Sequence, residues 1–288
     1  MTTNHPPAHG ARLGLLLIAP TLVIIAGMAL VPIGATAWEA LHQHDLRLPW
    51  LGNPFIGAGN FVEAVGDARF REAVMHTVAF TAVSVPIELV LGVALALLMH
   101  TVRRGRGVVR VAALLPWAIP TVVAALVWRL MFEQLAATGR FDWFSDPIAA
   151  WIPIVVADVW KTTPFVAVLV LAGLQTIDPE IYDSARLDGA SPLRQLVTIT
   201  LPLLAPAIVV AAAFRTLDGL RLFDVPYVMT AGGPGTATEP LSMYAFAALM
   251  ERLRFGYGSA LSISLFALTF VVALLSVRAL SRATPVES

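Results

Sequence analysis

Cysteine is absent from this 288-residue sequence. A chain without thiols forms no disulfide, holds no iron–sulfur cluster or zinc–thiolate site, and offers no cysteine nucleophile. We also predict no histidine metal site, because His42 and His44 lie only two positions apart on an expected loop. We find no nucleophile next to a base. These absences argue against a metalloenzyme or a hydrolase.

Charged residues are scarce. They make up 13% of the chain, against roughly 25% in a typical soluble domain. Hydrophobic residues make up 58%, and the mean hydropathy is +0.78. Such a composition supplies too little charge for the surface of a globular protein, so it predicts an integral membrane protein. The formal net charge is zero, which gives no indication of nucleic-acid binding.

The phosphate-binding pattern G-x-x-x-x-G-K-[ST] is missing as well. The one lysine, Lys161, is followed by Thr162 and Thr163, but no glycine precedes it at the required positions. It also lies inside an apolar run. The chain therefore carries no P-loop nucleotide site of its own.

The apolar residues are collected in runs of about 20 residues or more, long enough to cross a bilayer as helices. The first run has a second interpretation as a signal peptide, because Arg12 precedes it and Ala35-Thr36-Ala37 resembles a cleavage site. Its apolar part exceeds the roughly 7–15 residues of a signal-peptide core, which favours an uncleaved span. The third run is broken by Pro116 and Pro120. We expect an all-α membrane protein with a tail at 1–11, spans at about 13–38, 73–99, 111–132, 147–174, 203–222 and 258–280, and a tail at 283–288.

Arginine placement predicts the orientation, because cytoplasmic loops are rich in basic residues. With six spans, both termini lie on the same side as the loops at 100–110 and 178–202. That side carries most of the loop arginines, whereas acidic residues outnumber arginines on the other side. We therefore expect both termini and the 178–202 loop in the cytoplasm, and the Gly232–Gly235 loop outside.

Residues 178–206 form a polar elbow between two apolar runs. Asp178-Pro179 and Ser191-Pro192 each supply the N-cap and first-turn residues of a helix. Gly189 follows Asp188, where the end of a helix needs a left-handed backbone. The pattern predicts two short helices joined by a tight turn. Such an elbow is either a docking surface for another protein or an ordinary capped connector.

The elbow also carries an ordered motif. Asp183-Ser184-Ala185-Arg186-Leu187-Asp188-Gly189-Ala190 is followed, after a spacer containing Leu196, by Ile199-Thr200-Leu201-Pro202. This order resembles the EAA motif of permease subunits of ABC importers, E-A-A-x-x-D-G-A followed by I-x-L-P. The chain departs from the pattern at Asp183, where Glu is usual, at Ser184, and at Leu196, where Phe is common. These departures conserve charge, small size and apolar character.

Two further stretches extend the resemblance. The sequence from Phe223-Asp224 through Tyr227 to Gly232-Gly233-Pro234-Gly235 is similar to a stretch of carbohydrate permeases of the maltose-transporter type. The stretches 159–165 and 214–218 are similar to permeases of actinobacterial trehalose importers. Together with the six-span layout, the resemblance covers about residues 12–282.

The resemblance implies a type I ABC importer permease fold in the cytoplasmic membrane. It implies four kinds of partner: two copies of a cytoplasmic ATPase that bind ATP and Mg²⁺, a second related permease, an extracytoplasmic solute-binding lipoprotein and the lipid bilayer. No cofactor is expected on this chain. In this family the elbow is a coupling helix that docks on the ATPase. The residues implied in coupling are Asp183, Ser184, Ala185, Arg186, Leu187, Asp188, Gly189, Ala190, Leu196, Ile199, Leu201 and Pro202.

Ionisable residues inside the apolar runs form a second group. Each costs roughly 2.5–3.5 kcal/mol at the bilayer centre on insertion scales, so it faces protein or water. Asp158 with Lys161, and Arg215 with Asp218, are spaced i, i+3 and can neutralise each other. They are either structural ion pairs or part of the solute path. The path candidates are Glu88, Asp158, Trp160, Lys161, Arg215, Asp218, Asp224 and Tyr227.

We therefore expect a permease subunit that translocates a sugar, such as the disaccharide trehalose, by alternating access driven by ATP in partner subunits. The Gly232, Gly233, Pro234 and Gly235 loop is either a simple turn or a contact for the solute-binding protein at the outer mouth. A permease for another solute, such as a polyol or glycerol phosphate, shares the same elbow. A secondary transporter and a membrane enzyme are two further candidate functions.

Overall fold

The computed structural model describes residues 8–102, 104–139 and 142–283, with side chains from 16 to 278 inside those ranges. Helices dominate these residues. The helices are α1 (Ala8–Ala40), α2 (Gly59–Gly66), α3 (Ala68–Thr101), α4 (Arg106–Ala118), α5 (Thr121–Ala137), α6 (Trp151–Leu174), α7 (Pro179–Leu187), α8 (Pro192–Gln195), α9 (Leu201–Gly219), α10 (Asp224–Thr230), α11 (Leu241–Phe246) and α12 (Phe255–Ala283).

The chain divides into two compact units. One unit runs up to Gly66 and includes Ala247–Ile263, and the other consists of Asp67–Phe246 and resumes at Ser264. The larger unit contains the elbow, all of the intramembrane charges and the Gly232–Gly235 loop.

The predicted class of all-α membrane protein is confirmed. Among the described residues, five helical runs are long and apolar enough to cross a membrane, and a bent pair of helices makes a sixth. The long runs are Leu16–Ala40, Ala68–Thr101, Trp151–Leu174, Pro192–Gly219 and Phe255–Arg278.

The predicted tails fall largely outside the described residues. Residues 1–7 and 284–288 are not described, and α1 is already helical from Ala8. Ala35-Thr36-Ala37 lies inside α1, which continues to Ala40.

The third predicted span is two helices. Arg106–Ala118 and Thr121–Ala137 meet at 89° across a two-residue break. Pro120 lacks the amide that would continue the hydrogen-bond ladder, and a residue before proline is pushed out of the helical region. Ile119 accordingly adopts an extended backbone, with φ −73° and ψ 134°. Pro116, also expected to break the run, lies inside α4.

The segment after α9 is more ordered than the sequence predicted. Between the predicted spans 203–222 and 258–280 the sequence indicates a loop around Gly232–Gly235, but the short helices α10 and α11 lie there, and a π-helical turn spans Ala247–Glu251. The stretches on either side of the Gly232–Gly235 turn are too short and too mixed in composition for hydrophobic periodicity to predict a helix there.

Small residues allow the core helices of the larger unit to approach closely. A Cβ placed on Gly92 of α3 would lie 2.4 Å from Val166 Cγ1 of α6. A Cβ on Gly173 of α6 would lie 2.8 Å from the Cβ of Ala207 on α9. In a bilayer, helices associate through such close packing, because lipid tails provide no hydrophobic drive. The tight interfaces of α3 with α6 and of α6 with α9 therefore depend on these glycines.

We expect Gly92→Ala to lower the thermal unfolding midpoint of the purified protein, because overpacking a tight interface costs about 1–3 kcal/mol. The double variant Gly92→Ala/Val166→Ala should recover part of the loss by removing the clashing methyl groups. Gly107→Ala is the matched control, since no atom lies within 4 Å of its added Cβ. Thermal unfolding followed by size-exclusion chromatography in detergent measures all three. Equal midpoints for Gly92→Ala and Gly107→Ala would contradict the packing argument.

Candidate functional site

The central feature of the larger unit is a buried arginine held by three carboxylates from three helices. Arg215 of α9 donates through Nε and Nη2 to Glu88 of α3, with Nη2 3.0 Å from Oε1. Nη2 also lies 3.1 Å from Oδ2 of Asp158 on α6, and Nη1 lies 2.5 Å from Oδ2 of Asp218. The side chain of Glu88 is fully buried, and that of Arg215 is 4% exposed.

This arrangement explains how the charges are tolerated in the apolar core. The planar guanidinium presents five donors in a fixed fork, so one arginine can serve several carboxylates. Removing one partner of such a buried pair is costly because it leaves the other charge uncompensated. The cluster therefore fixes the positions of α3, α6 and α9 relative to one another at one point along the three helices.

One of the two predicted ion pairs is wrong. Arg215 and Asp218 do pair, as the i, i+3 spacing indicated, but Asp158 binds Arg215 instead of Lys161. Lys161 donates from Nζ to the backbone carbonyls of Ile119, at 2.7 Å, and Trp117, at 3.4 Å. The spacing could not reveal this partner because it lies about 40 residues away, at the break between α4 and α5.

A cavity opens beside the cluster. It has a volume of about 340 Å³, and a smaller cavity of about 130 Å³ shares several of its lining residues. Both contain charged, hydroxyl and apolar groups. The larger cavity is lined by Trp117, Thr121, Lys161, Thr162, Phe165, Phe214, Arg215, Asp218 and Arg221.

Aromatic rings form one wall of the larger cavity. The ring centroids of Trp117 and Phe165 are 6.0 Å apart, and those of Phe165 and Phe214 are 6.1 Å apart in an edge-to-face arrangement. The polar part of the lining includes Lys161 and Arg221, which supply hydrogen-bond donors. A cavity that combines ring faces with a few convergent polar groups is typical of a small-molecule site.

The structure brings together five of the eight path candidates. Asp158, Lys161, Arg215, Asp218 and Asp224 line one or both cavities.

The other three path candidates lie elsewhere. Glu88 does not line either cavity but binds the Arg215 that does. Trp160 packs edge-on against Trp128, with centroids 5.7 Å apart. Tyr227 stacks on Phe223 at 5.1 Å.

Several cavity residues were missed by the sequence reasoning. Trp117, Phe165 and Phe214 lie in the predicted spans as ordinary apolar residues, and Arg221 was not among the predicted path residues. The signal that could have found Phe165 and Phe214 is their place inside the stretches 159–165 and 214–218, which were singled out by resemblance.

The elbow is built as the sequence predicted. Asp178 caps α7 by accepting from the Glu180 amide, and Ser191 caps α8 by accepting from the Arg194 amide. Gly189 has a φ of +76°, and no atom lies within 4 Å of where its Cβ would be. The predicted caps and the left-handed glycine are confirmed.

Backbone bonds close the end of α7 tightly. The Ala190 amide donates to Ala185 at 2.9 Å and the Gly189 amide donates to Arg186 at 3.0 Å, which together make a Schellman motif. Gln195 Nε2 then donates to the Ala190 carbonyl at 2.8 Å. These bonds give the turn one fixed geometry.

The outer surface of the elbow is exposed and partly apolar. Leu187, the last residue of α7, is 90% exposed, and Leu193 of α8 is 71% exposed. Asp183 accepts from Arg186 at 2.8 Å, while both side chains remain open to solvent. Further along the motif, Leu196 and Ile199 lie in a π-helical turn over Leu196–Thr200, and Leu201 and Pro202 begin α9.

The Gly232–Gly235 loop is held firmly at one end. Thr238 donates from its hydroxyl to the Gly233 carbonyl at 2.8 Å, and its amide donates to Gly232 at 3.0 Å. The next residue, Glu239, accepts two bonds from the guanidinium of Arg69, at 2.6 and 2.7 Å. Such bidentate pairs are among the stronger hydrogen bonds in proteins. These bonds therefore fix the end of the loop that leads to Glu239.

Two acidic residues outside the spans are held ionised. Hydrogen bonds from the Arg47 side chain lower the pKa of Asp45 to about 2. The hydroxyl of Ser145 lowers the pKa of Asp142. Both residues belong to the acid-rich side of the sequence, and each keeps its negative charge well below neutral pH.

Among the described residues, no group of three or more histidine, cysteine, aspartate or glutamate side chains is placed to hold a metal ion. The carboxylates of the core are instead bound to Arg215.

The region that contains these features is similar to a known family of transport proteins. The family model described as "Binding-protein-dependent transport system inner membrane component" matches residues 88–284, which include the Arg215 cluster and the elbow.

Curated relatives match most of the chain. The "Trehalose/maltose transport system permease protein MalF" of Thermococcus litoralis is 40% identical over 92% of this chain and 90% of its own. The "Trehalose transport system permease protein SugA" of Mycobacterium tuberculosis is 39% identical over 95% and 90%. The "Sulfoquinovosyl glycerol transport system permease protein SmoG" of Agrobacterium fabrum is 37% identical over 90% and 87%.

Solved structures share the fold. A chain of a bacterial ABC transporter involved in the import of the acidic polysaccharide alginate superposes with a TM-score of 0.79 at 22% identity, over 94% of this chain and 96% of that one. This similarity confirms the type I importer permease fold that the sequence implied. With the family model covering more than half of the sequence, and relatives well above 30% identity along nearly all of it, the chain belongs to the family of binding-protein-dependent transport system inner membrane components.

Proposed function

We propose that this chain is the membrane-spanning subunit of an ATP-driven sugar importer, and that the elbow docks on the ATPase. The observation that carries the proposal is the elbow itself. It is short, capped at both helix starts and closed by a Schellman motif, and it presents Leu187 at 90% exposure. A short helix that exposes a leucine can place that side chain in an apolar groove of a partner.

The position of the elbow explains how a partner could act on the solute. It connects α6, which carries Asp158 and Lys161, to α9, which carries Arg215 and Asp218. A displacement of the elbow therefore moves the two helices that line most of the cavity. ATP binding would close the paired ATPases and open the cavity outward, and hydrolysis would reset it inward, which is alternating access.

The proposal requires several partners. ATP and Mg²⁺ would bind to two copies of a cytoplasmic ATPase, since this sequence has no P-loop. A second related permease would complete the pathway. An extracytoplasmic solute-binding protein would deliver the sugar next to the Gly232–Gly235 loop. The alginate transporter has been solved in complex with a periplasmic protein bound to an alginate pentasaccharide, which supports this last partner by analogy.

A disaccharide such as trehalose or maltose is the proposed cargo. Relatives with 39–40% identity are named for trehalose and for trehalose/maltose transport. The cavity supports a sugar because ring faces can pack against the apolar face of a pyranose, while Lys161, Thr162 and Arg221 donate to hydroxyls. A volume of about 340 Å³ fits a small solute.

A glycoside with an acidic group is the second candidate. The cavity carries the cations Lys161 and Arg221, and a relative of 37% identity is named for sulfoquinovosyl glycerol, which bears a sulfonate. Uptake competition between trehalose and sulfoquinovosyl glycerol distinguishes the two cargoes.

We expect Gly189→Val to detach or uncouple the ATPase while leaving membrane insertion intact. A left-handed backbone costs a β-branched residue roughly 1–2 kcal/mol, and the turn would open. Gly105→Val is the matched control, because Gly105 also has a positive φ, of +73°, with no atom near its Cβ position. Co-purification of the ATPase and ATP-dependent uptake in spheroplasts are the measurements.

Asp188→Lys tests the same surface by reversing the charge of the residue before Gly189. It introduces no backbone strain, because Asp188 has an ordinary φ of −77°. We expect loss of uptake here too. If the ATPase still co-purifies with both variants and uptake is unchanged, the docking assignment is wrong. Uptake that an ionophore abolishes, with no ATPase bound, would instead indicate a secondary transporter.

Removing a cavity ring should slow sugar uptake. We expect Phe214→Ala to reduce labelled trehalose uptake about tenfold, the equivalent of one aromatic contact of about 1.4 kcal/mol. Phe270→Ala is the control, since Phe270 is similarly exposed, at 53% against 56%, but lies on α12 away from the cavity lining. Membrane abundance is checked by immunoblot. Equal uptake by both variants would remove this cavity from the solute path.

The proposed orientation places both termini and the elbow in the cytoplasm. Because the chain has no cysteine, single cysteines report their own position without background. We expect Ser145→Cys to react with an impermeant maleimide on intact spheroplasts, and Ser184→Cys to react only after permeabilisation. Both serines are exposed. The reverse labelling pattern would invert the topology and remove the elbow from reach of a cytoplasmic ATPase.

A further inference from the structure

The break between α4 and α5 leaves backbone carbonyls without helical partners. The last four carbonyls of any helix lack an amide four residues ahead within that helix. At this break the shortage is greater, since Pro120 has no amide and Ile119 is extended. Unpaired carbonyls inside a membrane protein cost several kcal/mol unless another group satisfies them.

Lys161 satisfies two of these carbonyls. Its ammonium donates to the carbonyls of Ile119, at 2.7 Å, and Trp117, at 3.4 Å. The carbonyl end of a helix carries partial negative charge, so a cation there is favourable. Within the described part of the chain, Lys161 forms no salt bridge with a carboxylate, because Asp158 on its own helix is bound to Arg215.

The break also forms part of the cavity. Trp117 precedes it and Thr121 follows it, and both side chains line the larger cavity together with Lys161. The relative position of Trp117 and Thr121 depends on the angle between α4 and α5. Whatever fixes that angle therefore fixes the shape of this wall.

We propose that Lys161 is a positioning residue, which locks the broken third span to α6 and so holds the cavity wall in the shape that the solute requires. The inference rests on the proposed function, in that the cavity is taken as the solute path. It adds a role for Lys161 that is distinct from contact with a sugar.

The lock joins the break to the ion cluster. Lys161 and Asp158 lie one turn apart on α6, so a displacement of α6 acts on both the break and Arg215. Through Arg215 the connection continues to Glu88 on α3. A single polar layer thus links α3, α6, α9 and the broken span.

Spin labels across the break test the lock directly. In the cysteine-free background, Val108→Cys on α4 and Leu130→Cys on α5 carry the labels, since both side chains are well exposed. The full chain is measured with its partner subunits in lipid nanodiscs by double electron–electron resonance. We expect one narrow distance distribution for the parent, a broad or shifted one for Lys161→Met, and recovery with Lys161→Arg, which restores a cationic donor.

The matched control is Arg221→Met. Arg221 is a second cation of the same cavity, but its partners are the Leu217 carbonyl near the end of α9 and Asp218, 4.0 Å away, rather than the carbonyls of the break. Its distance distribution should match that of the parent. A narrow, unshifted distribution for Lys161→Met would overturn the lock, and so would broadening that Arg221→Met reproduces.

Transport supplies the second readout. We expect Lys161→Met to lower the maximal rate of ATP-dependent uptake about fivefold or more, with little change in the apparent KM for the loaded binding protein, and Lys161→Arg to restore most of the rate. A broadened distance distribution across the break, together with normal uptake, would overturn the positioning role. If uptake proves independent of ATP, the proposed function fails, whereas the distance measurement still decides whether Lys161 locks the break.

Discussion

Arg215 is the constraint on which the membrane core depends. It is the shared partner of Glu88, Asp158 and Asp218, and it joins α3, α6 and α9 at one depth. Burying Arg215, Glu88 and Asp158 is tolerable only because the guanidinium and the carboxylates satisfy each other, so their geometry is fixed closely, whereas the Asp218 side chain is 60% exposed. The close contacts at Gly92 and Gly173 allow the same three helices to approach far enough for those bonds to form.

The two parts of the proposed function adjoin that core. On one side the cavity combines the rings of Trp117, Phe165 and Phe214 with donors from Lys161 and Arg221. On the other, the rigid elbow joins α6 to α9. The same two helices line most of the cavity and are joined by the elbow, so the proposed coupling would act through α6 and α9 directly.

The local features of the elbow could be predicted because they depend on neighbouring residues. The caps at Asp178 and Ser191 and the left-handed Gly189 follow from the chemistry of single positions, and the structure confirms them. The partner of Asp158 could not be predicted in this way. Spacing on one helix suggested Lys161, but the bond goes to Arg215 on another helix, and the choice depends on how α6 and α9 pack.

The sequence by itself determined the class of molecule, since few charges and long apolar runs leave the bilayer as the only suitable solvent for most of the chain. It also determined the elbow, whose geometry is local. Only the tertiary structure decided which charges pair, where the cavity lies, and that Lys161 binds the carbonyls at the break near Pro120. Those contacts join residues about 40 to 130 positions apart, and periodicity or spacing along one helix carries no information about such distant partners.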